Sequence, residues 1–308
     1  MPFTLSHPAA VLPLLRRPFV PAALVAGAVA PDVPYFLTVL GVSGSSPEDW
    51  YGPLLNATQT HSPAGLLLSL PSALGLVAAH RMLRAPITAL LPRGLRIPGP
   101  EPAAGLPAKA RYTMWLLISA VLGIASHVVW DSFTHGDGFL VTHMEPLRAS
   151  APGGLTVARL LQYASTVVGL TAVGRHLWRR RTRLRPRAGT DNGDRLTPLA
   201  RWGVLILLVA APVLGGAANA ASDFNAYRFV TDVDYSRPTT VDLGDGASDT
   251  SYPSRTVPAP WGALAEGVLT GAAKRAGASF TAALLLYGAA WHIGAGSRRS
   301  AKGVIQRR

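Results

Sequence analysis

The segment YTMWLLISAVLGIASHVVWDSFTHGDG, residues 112–138, decides the fold class. Residues 112–134 form an apolar run, and about 20 such residues in a helix cross the hydrocarbon core of a bilayer. His127, Asp131 and His135 follow one another at intervals of four residues near its end, where charge is costly to hold in apolar surroundings. The segment therefore predicts a membrane helix that carries a polar cluster near one end.

The composition of the whole chain agrees with a membrane protein. Of its 308 residues, 49% are hydrophobic and only 15% are charged, whereas about a quarter of the residues of a soluble domain are charged. Apolar runs at 64–80, 112–134, 159–178, 200–221 and 264–292 predict about five spanning helices. We therefore expect an all-α, polytopic helical membrane bundle, built as a single integral membrane domain over residues 1–308. Residues 1–150 form its motif-bearing half, and 151–308 supply additional helices.

The stretch 7–40 is apolar but is interrupted by Arg16-Arg17-Pro18 and by further prolines. Proline lacks an amide hydrogen and has a fixed φ, which suits helix starts and turns. We therefore predict an N-terminal helical hairpin, with helices at about 7–16 and 20–30. A hairpin returns His7 and Asp32 to one face, whereas a single crossing would separate them.

The charged residues divide the loops into two classes. The net charge is +13, and the basic segments 81–111, 178–187 and 297–308 contrast with the acidic segment 222–260. Basic loops stay in the cytoplasm. The pattern predicts a multi-pass protein of the cell (inner) membrane, with a cytoplasmic C-terminal tail at 297–308. The polar loop 222–260, with a short strand near 226–233, is expected to be extracytoplasmic, as are 37–62 and 136–158.

The same charge distribution indicates which binding partners to expect. Because the arginines are split among several loops and not gathered on one domain face, we expect no nucleic-acid partner. Membrane lipids are the expected partners, with anionic headgroups facing the basic loops. The oligomeric state stays open.

The polar cluster extends to three other segments. Positions four apart on a helix lie about 6 Å from each other, so Asp131 can share a ligand with either His127 or His135. If the hairpin forms, Asp32 in VAPDVPYF (29–36) and His7 in LSHPA (5–9) return to this side, with His61 in TQTHSP (58–63).

Imidazole and carboxylate donors together indicate a divalent metal ion, zinc first, with manganese or iron as alternatives. The candidate metal ligands are His7, Asp32, His61, His127, Asp131 and His135. Asp32 and Asp131 are also the candidate catalytic residues, since one carboxylate can bind the metal while the other orients or deprotonates an attacking water. The alternative is that His127 and Asp131 form a structural hydrogen-bonded pair. The chain has no cysteine, which excludes thiolate ligands, and its serines lack a nucleophile-elbow context.

The pieces MPFTLSHPAAVLPL, AGAVAPDVPYF, THS and SHVVWDSFTHGDG resemble an uncharacterised family of bacterial membrane proteins, domain of unknown function 4184. They are also similar to inner-membrane-associated proteins classed as metal-dependent hydrolases. The resemblance implies that Asp32, His61, His127 and Asp131 are metal ligands, together with the N-terminal His7. The longer motif of that group, histidine-arginine-glycine-x-threonine-histidine-serine, is incomplete here. Residues 56–62 read NATQTHS, and the missing first histidine argues against a second metal ion.

These observations predict a membrane hydrolase that uses a metal-activated water to cleave an ester or phosphoester, with a lipid or envelope compound as substrate. The alternative is a non-enzymatic membrane scaffold or transporter, in which the histidines and aspartates form a buried polar network. Stoichiometric metal in the purified protein would discriminate between the two.

Overall fold

A computed structural model describes residues 4–37, 55–91, 105–151, 155–181, 196–218, 220–234, 236–244 and 247–305 of the chain. Helices dominate the described residues. They are α1 (Pro8–Val11), α2 (Pro21–Val29), α3 (Val33–Leu37), α4 (Ala57–Thr60), α5 (Gly65–Leu68), α6 (Leu70–Leu90), α7 (Leu106–Thr134), α8 (Phe139–His143), α9 (Glu145–Arg148), α10 (Val157–Arg181), α11 (Pro198–Ala217), α12 (Ala220–Tyr227) and α13 (Trp261–Ile305). Single-turn 3-10 helices lie at Thr4–Ser6, Leu12–Leu14 and Ala30–Asp32, and a two-residue ladder pairs β1 (Ser150–Ala151) with β2 (Leu155–Thr156).

Four helical segments among the described residues are long and apolar enough to cross a membrane. They are Gly65–Leu90, Leu106–His143, Pro198–Tyr227 and Trp261–Gly294. Helix α10, which contains the predicted span 159–178, is not one of them, because Arg, Gln, Ser and Thr side chains dilute its apolar residues. The prediction of a helical membrane protein is thus supported, while a fifth span stays a prediction.

The exposed surfaces of two of these helices, α11 and α13, carry many apolar side chains. Ile206, Val209 and Val213 on α11 are 63–66% exposed, and no residue of α11 is buried. Helix α13 likewise exposes Leu286 and Ile293. Contiguous apolar side chains of this kind are unfavourable in water and suit a lipid environment.

Helices α6 and α7 are longer than the apolar runs from which they were predicted. Helix α6 continues through Arg81 and Arg84, and α7 already includes Lys109 and Arg111. The interpretation of 81–111 as one loop is therefore wrong at both ends. Arginine and lysine are good helix formers, and their long side chains can reach the polar edge of a bilayer without ending the helix.

The predicted C-terminal tail differs in the same way, since α13 is helical to Ile305. Other parts of the predicted loops lie outside the described residues. These parts are 38–54, 152–154, 235 and 245–246 of the outer loops, 92–104 and 182–187 of the basic segments, and 306–308 of the tail.

The N-terminal hairpin is confirmed. Helix α1 and the 3-10 turn that follows it end before Arg16, and α2 begins at Pro21. The turn between them is held by α7, because the Val20 N–H donates to the Ser119 hydroxyl at 2.9 Å. The chain reverses there, so His7 and Asp32 both return to the same end of α7.

Helix α2 packs on α7 with almost no side chain between the two backbones. A Cβ on Gly27 would lie 2.2 Å from the Ala120 carbonyl oxygen, and one on Gly123 would lie 2.3 Å from that of Leu24. Only glycine permits this approach. The contact places the last turn of α2 directly against the part of α7 that carries His127.

The chain divides into two compact units, residues 1–205 with 284–308, and residues 206–283. The second unit contains β3 (Phe229–Val233) paired with β6 (Ser254–Pro258), and β4 (Thr239–Gly244) paired with β5 (Ala247–Ser251), all antiparallel. The predicted strand near 226–233 is thus present as β3. Within this unit the Arg275 guanidinium pairs with the Asp223 carboxylate.

Candidate metal site

Helix α7 supplies two donors from one face, one turn apart. His127 is fully buried and Asp131 is nearly so, and His127 Nε2 lies 3.1 Å from Asp131 Oδ2. The helix ends just beyond them at Thr134. The chain then folds back so tightly that a Cβ on Gly138 would lie 2.8 Å from the Asp131 carbonyl oxygen. Gly138 is therefore required for this close approach.

Two short segments supply the other donors. Asp32 ends the 3-10 turn after α2 and is fully buried. His61 follows α4, whose N-terminus is capped by the Asn56 side chain accepting from the Thr58 N–H. The Thr60 hydroxyl donates to the Pro31 carbonyl at 2.8 Å and ties the two segments together.

The four facing atoms have the spacing of ligands around one ion. His61 Nε2 lies 3.2 Å from His127 Nε2, 3.2 Å from Asp32 Oδ1 and 3.3 Å from Asp131 Oδ2. His127 Nε2 lies 3.1 Å from Asp131 Oδ2 and 3.6 Å from Asp32 Oδ1. Ligands at about 2.0–2.1 Å from a tetrahedral ion are about 3.3 Å apart. These four residues could therefore hold a metal ion.

Hydrogen bonds to backbone carbonyls fix the tautomers of both histidines. His127 Nδ1 lies 2.8 Å from the Ala28 carbonyl oxygen, and His61 Nδ1 lies 2.7 Å from that of Ala57. A carbonyl oxygen only accepts, so each Nδ1 carries a proton and each ring directs its Nε2 into the site. Two lone pairs at this separation repel each other unless a proton or a cation lies between them. Metal-binding histidines in proteins are usually oriented in this way.

Each of the two carboxylates has an oxygen atom that is available to bind a cation. Asp32 Oδ2 and Asp131 Oδ2 are buried and have no hydrogen-bond partner among the described residues. Asp131 Oδ2 has two imidazole nitrogens close to it, but at angles outside hydrogen-bond geometry. Buried carboxylate oxygens are costly without a partner, and a bound cation would satisfy them.

His7 and His135 contact the other oxygen of Asp131. His7 Nε2 lies 3.0 Å from Asp131 Oδ1 and His135 Nδ1 lies 3.4 Å from it, while the His7 ring stacks on the His127 ring at 3.8 Å. Both histidines thus adjoin the group of four, and the hydrogen bond from His7 orients its Asp131 carboxylate. Their expected role as direct metal ligands stays a prediction.

All six predicted site residues meet at this place. Thr60 and Asn56 were not predicted as site residues, although both lie in the segment NATQTHS, which also contains His61. Thr60 is 1% exposed and Asn56 is 5% exposed. Buried polar residues next to a candidate ligand are a signal that could have identified them as its supports.

A family model described as a domain of unknown function, DUF4184, matches residues 1–237. The chain belongs to the DUF4184 family. No curated protein and no solved structure matches it. The matched region of this DUF4184 chain contains every residue of the candidate site, so the site lies in the part that defines the family.

Two opposing effects set the pKa of His61, which lies outside the candidate membrane spans of this DUF4184 chain. Burial lowers the pKa, while the adjoining carboxylates of Asp131 and Asp32 raise it, and the net result raises the pKa to about 10. Without a metal ion His61 is therefore protonated at neutral pH, and its second proton lies where a metal ion would bind. Metal binding must displace that proton.

Metal affinity is accordingly expected to rise with pH. If one proton leaves His61 for each ion bound, affinity below pH 10 rises about tenfold per pH unit, or about 100-fold between pH 6 and pH 8. Competition with a chelating dye at pH 6, 7 and 8 measures this slope. An affinity that is constant over this range would show that His61 does not exchange its proton for the ion.

Proposed function

We propose that this protein is a metal-dependent hydrolase of the membrane that cleaves an ester or phosphoester with an activated water. The observation that carries the proposal is the pair of Nε2 atoms, 3.2 Å apart, which converge beside two carboxylate oxygens that have no hydrogen-bond partner among the described residues. A purely structural network would also give both Oδ2 atoms a hydrogen-bond partner. Zinc is the metal that best fits two imidazoles, a carboxylate and tetrahedral spacing, with manganese or iron as alternatives.

The two carboxylates have different surroundings, which suggests different roles. Asp131 is held from behind by a hydrogen bond from His7 Nε2 to Oδ1, and it directs Oδ2 between both Nε2 atoms. Asp32 Oδ1 lies 3.6 Å from His127 Nε2, the longest of the five distances, and its Oδ2 has no partner among the described residues. We therefore assign His61, His127 and Asp131 as ligands, and Asp32 as the base that takes the proton of the attacking water.

A divalent ion in this site would supply a Lewis acid that lowers the pKa of a coordinated water toward neutrality. The chain itself orients the ligands and keeps bulk water out. His127, Asp32 and Asp131 are at most 4% exposed. The side chains of His61 and His135 are 17% and 21% exposed and form the rim. Substrate would enter past these two histidines.

We further propose that the site faces the extracytoplasmic side of the cell membrane and that the C-terminus is cytoplasmic. The support is the distribution of charge along the sequence, since basic segments stay inside. A substrate drawn from the lipid or envelope compounds on that side fits a site placed where a spanning helix ends. The resemblance to metal-dependent hydrolases of the inner membrane points to the same reaction class.

Asp32→Asn is the variant that tests the reaction. It is expected to retain stoichiometric metal, because three ligands remain, and to lose about 10²- to 10⁴-fold in hydrolytic rate, as removal of a general base does. The assay uses zinc- or manganese-loaded protein with p-nitrophenyl esters, phosphomonoesters and phosphodiesters. Asp137→Asn, an exposed acid six residues after Asp131, is the matched control and should be unchanged. A metal-loaded wild type with no activity above buffer on this panel would instead favour the scaffold or transporter.

A further inference from the structure

A cavity of about 300 Å³ lies beside the candidate metal site in the same unit. Its walls come from the end of α7, from β2 and from the first turns of α10. They include Thr134, His135, Leu155, Thr156 and Gln162. His135 connects the cavity to the site, because its Nδ1 lies 3.4 Å from Asp131 Oδ1 while Asp131 Oδ2 adjoins His127 Nε2. A group held in the cavity would therefore lie one side chain away from the metal ion.

Gln162 is the buried polar residue of this cavity. It is 3% exposed, which is unusual for a glutamine. Its Oε1 accepts a hydrogen bond from Arg159 Nη1 at 3.1 Å, and this bond fixes the orientation of the amide, since a guanidinium only donates. The Nε2 of the same amide makes no hydrogen bond to any described residue. A buried amide N–H without a partner is costly, so Nε2 points to a ligand that supplies an acceptor oxygen.

Arg159 acts as the support of Gln162 and not as an anion site. Besides the bond from Nη1 to Gln162, its Nε donates to the Tyr163 hydroxyl at 3.2 Å, and it has a further interaction. The guanidinium is thus engaged within the protein. A ligand in the cavity is therefore recognised by the neutral side chains of its wall.

These neutral side chains offer both donors and an acceptor. The Thr156 hydroxyl accepts from the Arg159 N–H at 3.2 Å, which leaves its own O–H to donate, as Gln162 Nε2 does. The Thr134 hydroxyl donates to the Trp130 carbonyl at 3.2 Å, so its oxygen can only accept from a ligand. A ligand hydroxyl donates and accepts, and it matches this set. A phosphate dianion or a carboxylate only accepts, and it would be repelled by the Thr134 oxygen.

We propose that this cavity binds an uncharged, hydroxyl-bearing part of the substrate, of the size of a glycerol group, with Gln162 as the residue that recognises it. The inference rests on the proposed function only in placing this group beside the bond that the activated water attacks. Leu155 supplies an apolar wall for the carbon atoms of such a group. A volume of about 300 Å³ is at the small end for a ligand pocket, so the rest of a larger substrate must extend past the rim.

Two sources of such a group are distinguishable, the glycerol of a lipid and a water-soluble polyol. Glycerol alone probes the cavity. A short-chain monoacylglycerol, kept below its micelle-forming concentration, keeps free hydroxyl groups and adds an acyl chain. Tighter binding of the monoacylglycerol that is lost in Gln162→Glu indicates the lipid source, and equal binding of the two probes indicates the soluble one.

The experiment titrates glycerol into the full-length, zinc-treated protein and follows binding by saturation-transfer NMR. Gln162→Glu keeps the size of the side chain and an oxygen for Arg159, but it replaces the Nε2 donor by an acceptor. It is expected to weaken glycerol binding about tenfold or more, as loss of a buried hydrogen-bond donor does. The matched control is Gln59→Glu, the same change at an exposed glutamine that does not line the cavity, and it should bind glycerol as the wild type does. Thermal unfolding and bound metal are measured on every sample.

The outcomes separate this inference from the proposed function. Wild-type glycerol affinity in Gln162→Glu, or displacement of glycerol by inorganic phosphate, would overturn the inference even if the metal is present. Absence of glycerol binding by the wild type would also overturn it and would leave an ordered water as the partner of Nε2. Glycerol binding that depends on Gln162 in a protein that takes up no metal would support the cavity and contradict the hydrolase. If Gln162→Glu does not fold, Thr156→Val removes the other donor, and wild-type glycerol affinity in that variant would overturn the inference.

Discussion

Asp131→Ala is expected to abolish stoichiometric metal binding. The Asp131 carboxylate places Oδ2 between the Nε2 atoms of His61 and His127 and receives His7 and His135 at Oδ1. Its removal deletes one ligand and also leaves His7 without its hydrogen-bond partner. Loss of an outer partner alone costs about 10- to 100-fold in metal affinity, so loss of this ligand is expected to cost more.

Metal per protein after dialysis, measured by mass spectrometry, gives the result directly. His127→Ala should behave in the same way, since it removes a fully buried ligand. Glu145→Ala provides the matched control, because Glu145 is an exposed acid on the short helix α9 and should leave one equivalent of metal. One equivalent retained by Asp131→Ala would rule out the site as described.

Gly123→Ala is expected to destabilise the protein and to weaken metal binding together. The new Cβ would lie 2.3 Å from the Leu24 carbonyl oxygen and 2.8 Å from the Ala28 amide nitrogen, so α2 must move away from α7. Overpacking of this kind costs about 1–3 kcal/mol. Because the Ala28 carbonyl fixes the tautomer of His127, the same movement also disturbs a ligand.

Thermal unfolding and metal affinity of the same preparation test this coupling. Gly75→Ala is the control, since a Cβ at Gly75 on α6 would have no atom within 4 Å. Alanine is the better helix former there, by up to about 1 kcal/mol, so this variant should be as stable as the wild type or slightly more stable. A Gly123→Ala protein with unchanged stability and metal affinity would show that the two helices are not in close contact.

The sequence predicts which residues gather here because several of them lie at the ends of apolar helices. The spacing of His127, Asp131 and His135 on α7 predicts that they lie on one face. The Arg16-Arg17-Pro18 break predicts the hairpin that returns His7 to the same end of α7. The reason is physical, since an ionisable group in an apolar helix is costly and its presence needs a partner.

The remaining features depend on contacts that a single sequence does not encode locally. The backbone carbonyls of Ala28 and Ala57 orient the two histidines. Every residue has such a carbonyl, so the presence of alanine at these positions does not indicate a hydrogen bond to a histidine. The supporting role of Thr60 depends on its hydrogen bond to the Pro31 carbonyl oxygen, a contact between two segments that are distant in the sequence. The ends of α6 and α7 were missed because arginine and lysine continue a helix as readily as they end a hydrophobic run.

The central claim is that Asp32, His61, His127 and Asp131 surround one divalent ion. X-ray absorption spectroscopy at the zinc edge, on protein loaded with one equivalent, tests it most directly. The account predicts nitrogen and oxygen donors at about 2.0–2.1 Å, with the scattering of two imidazole rings. A shell of oxygen atoms alone, without imidazole scattering, would contradict it.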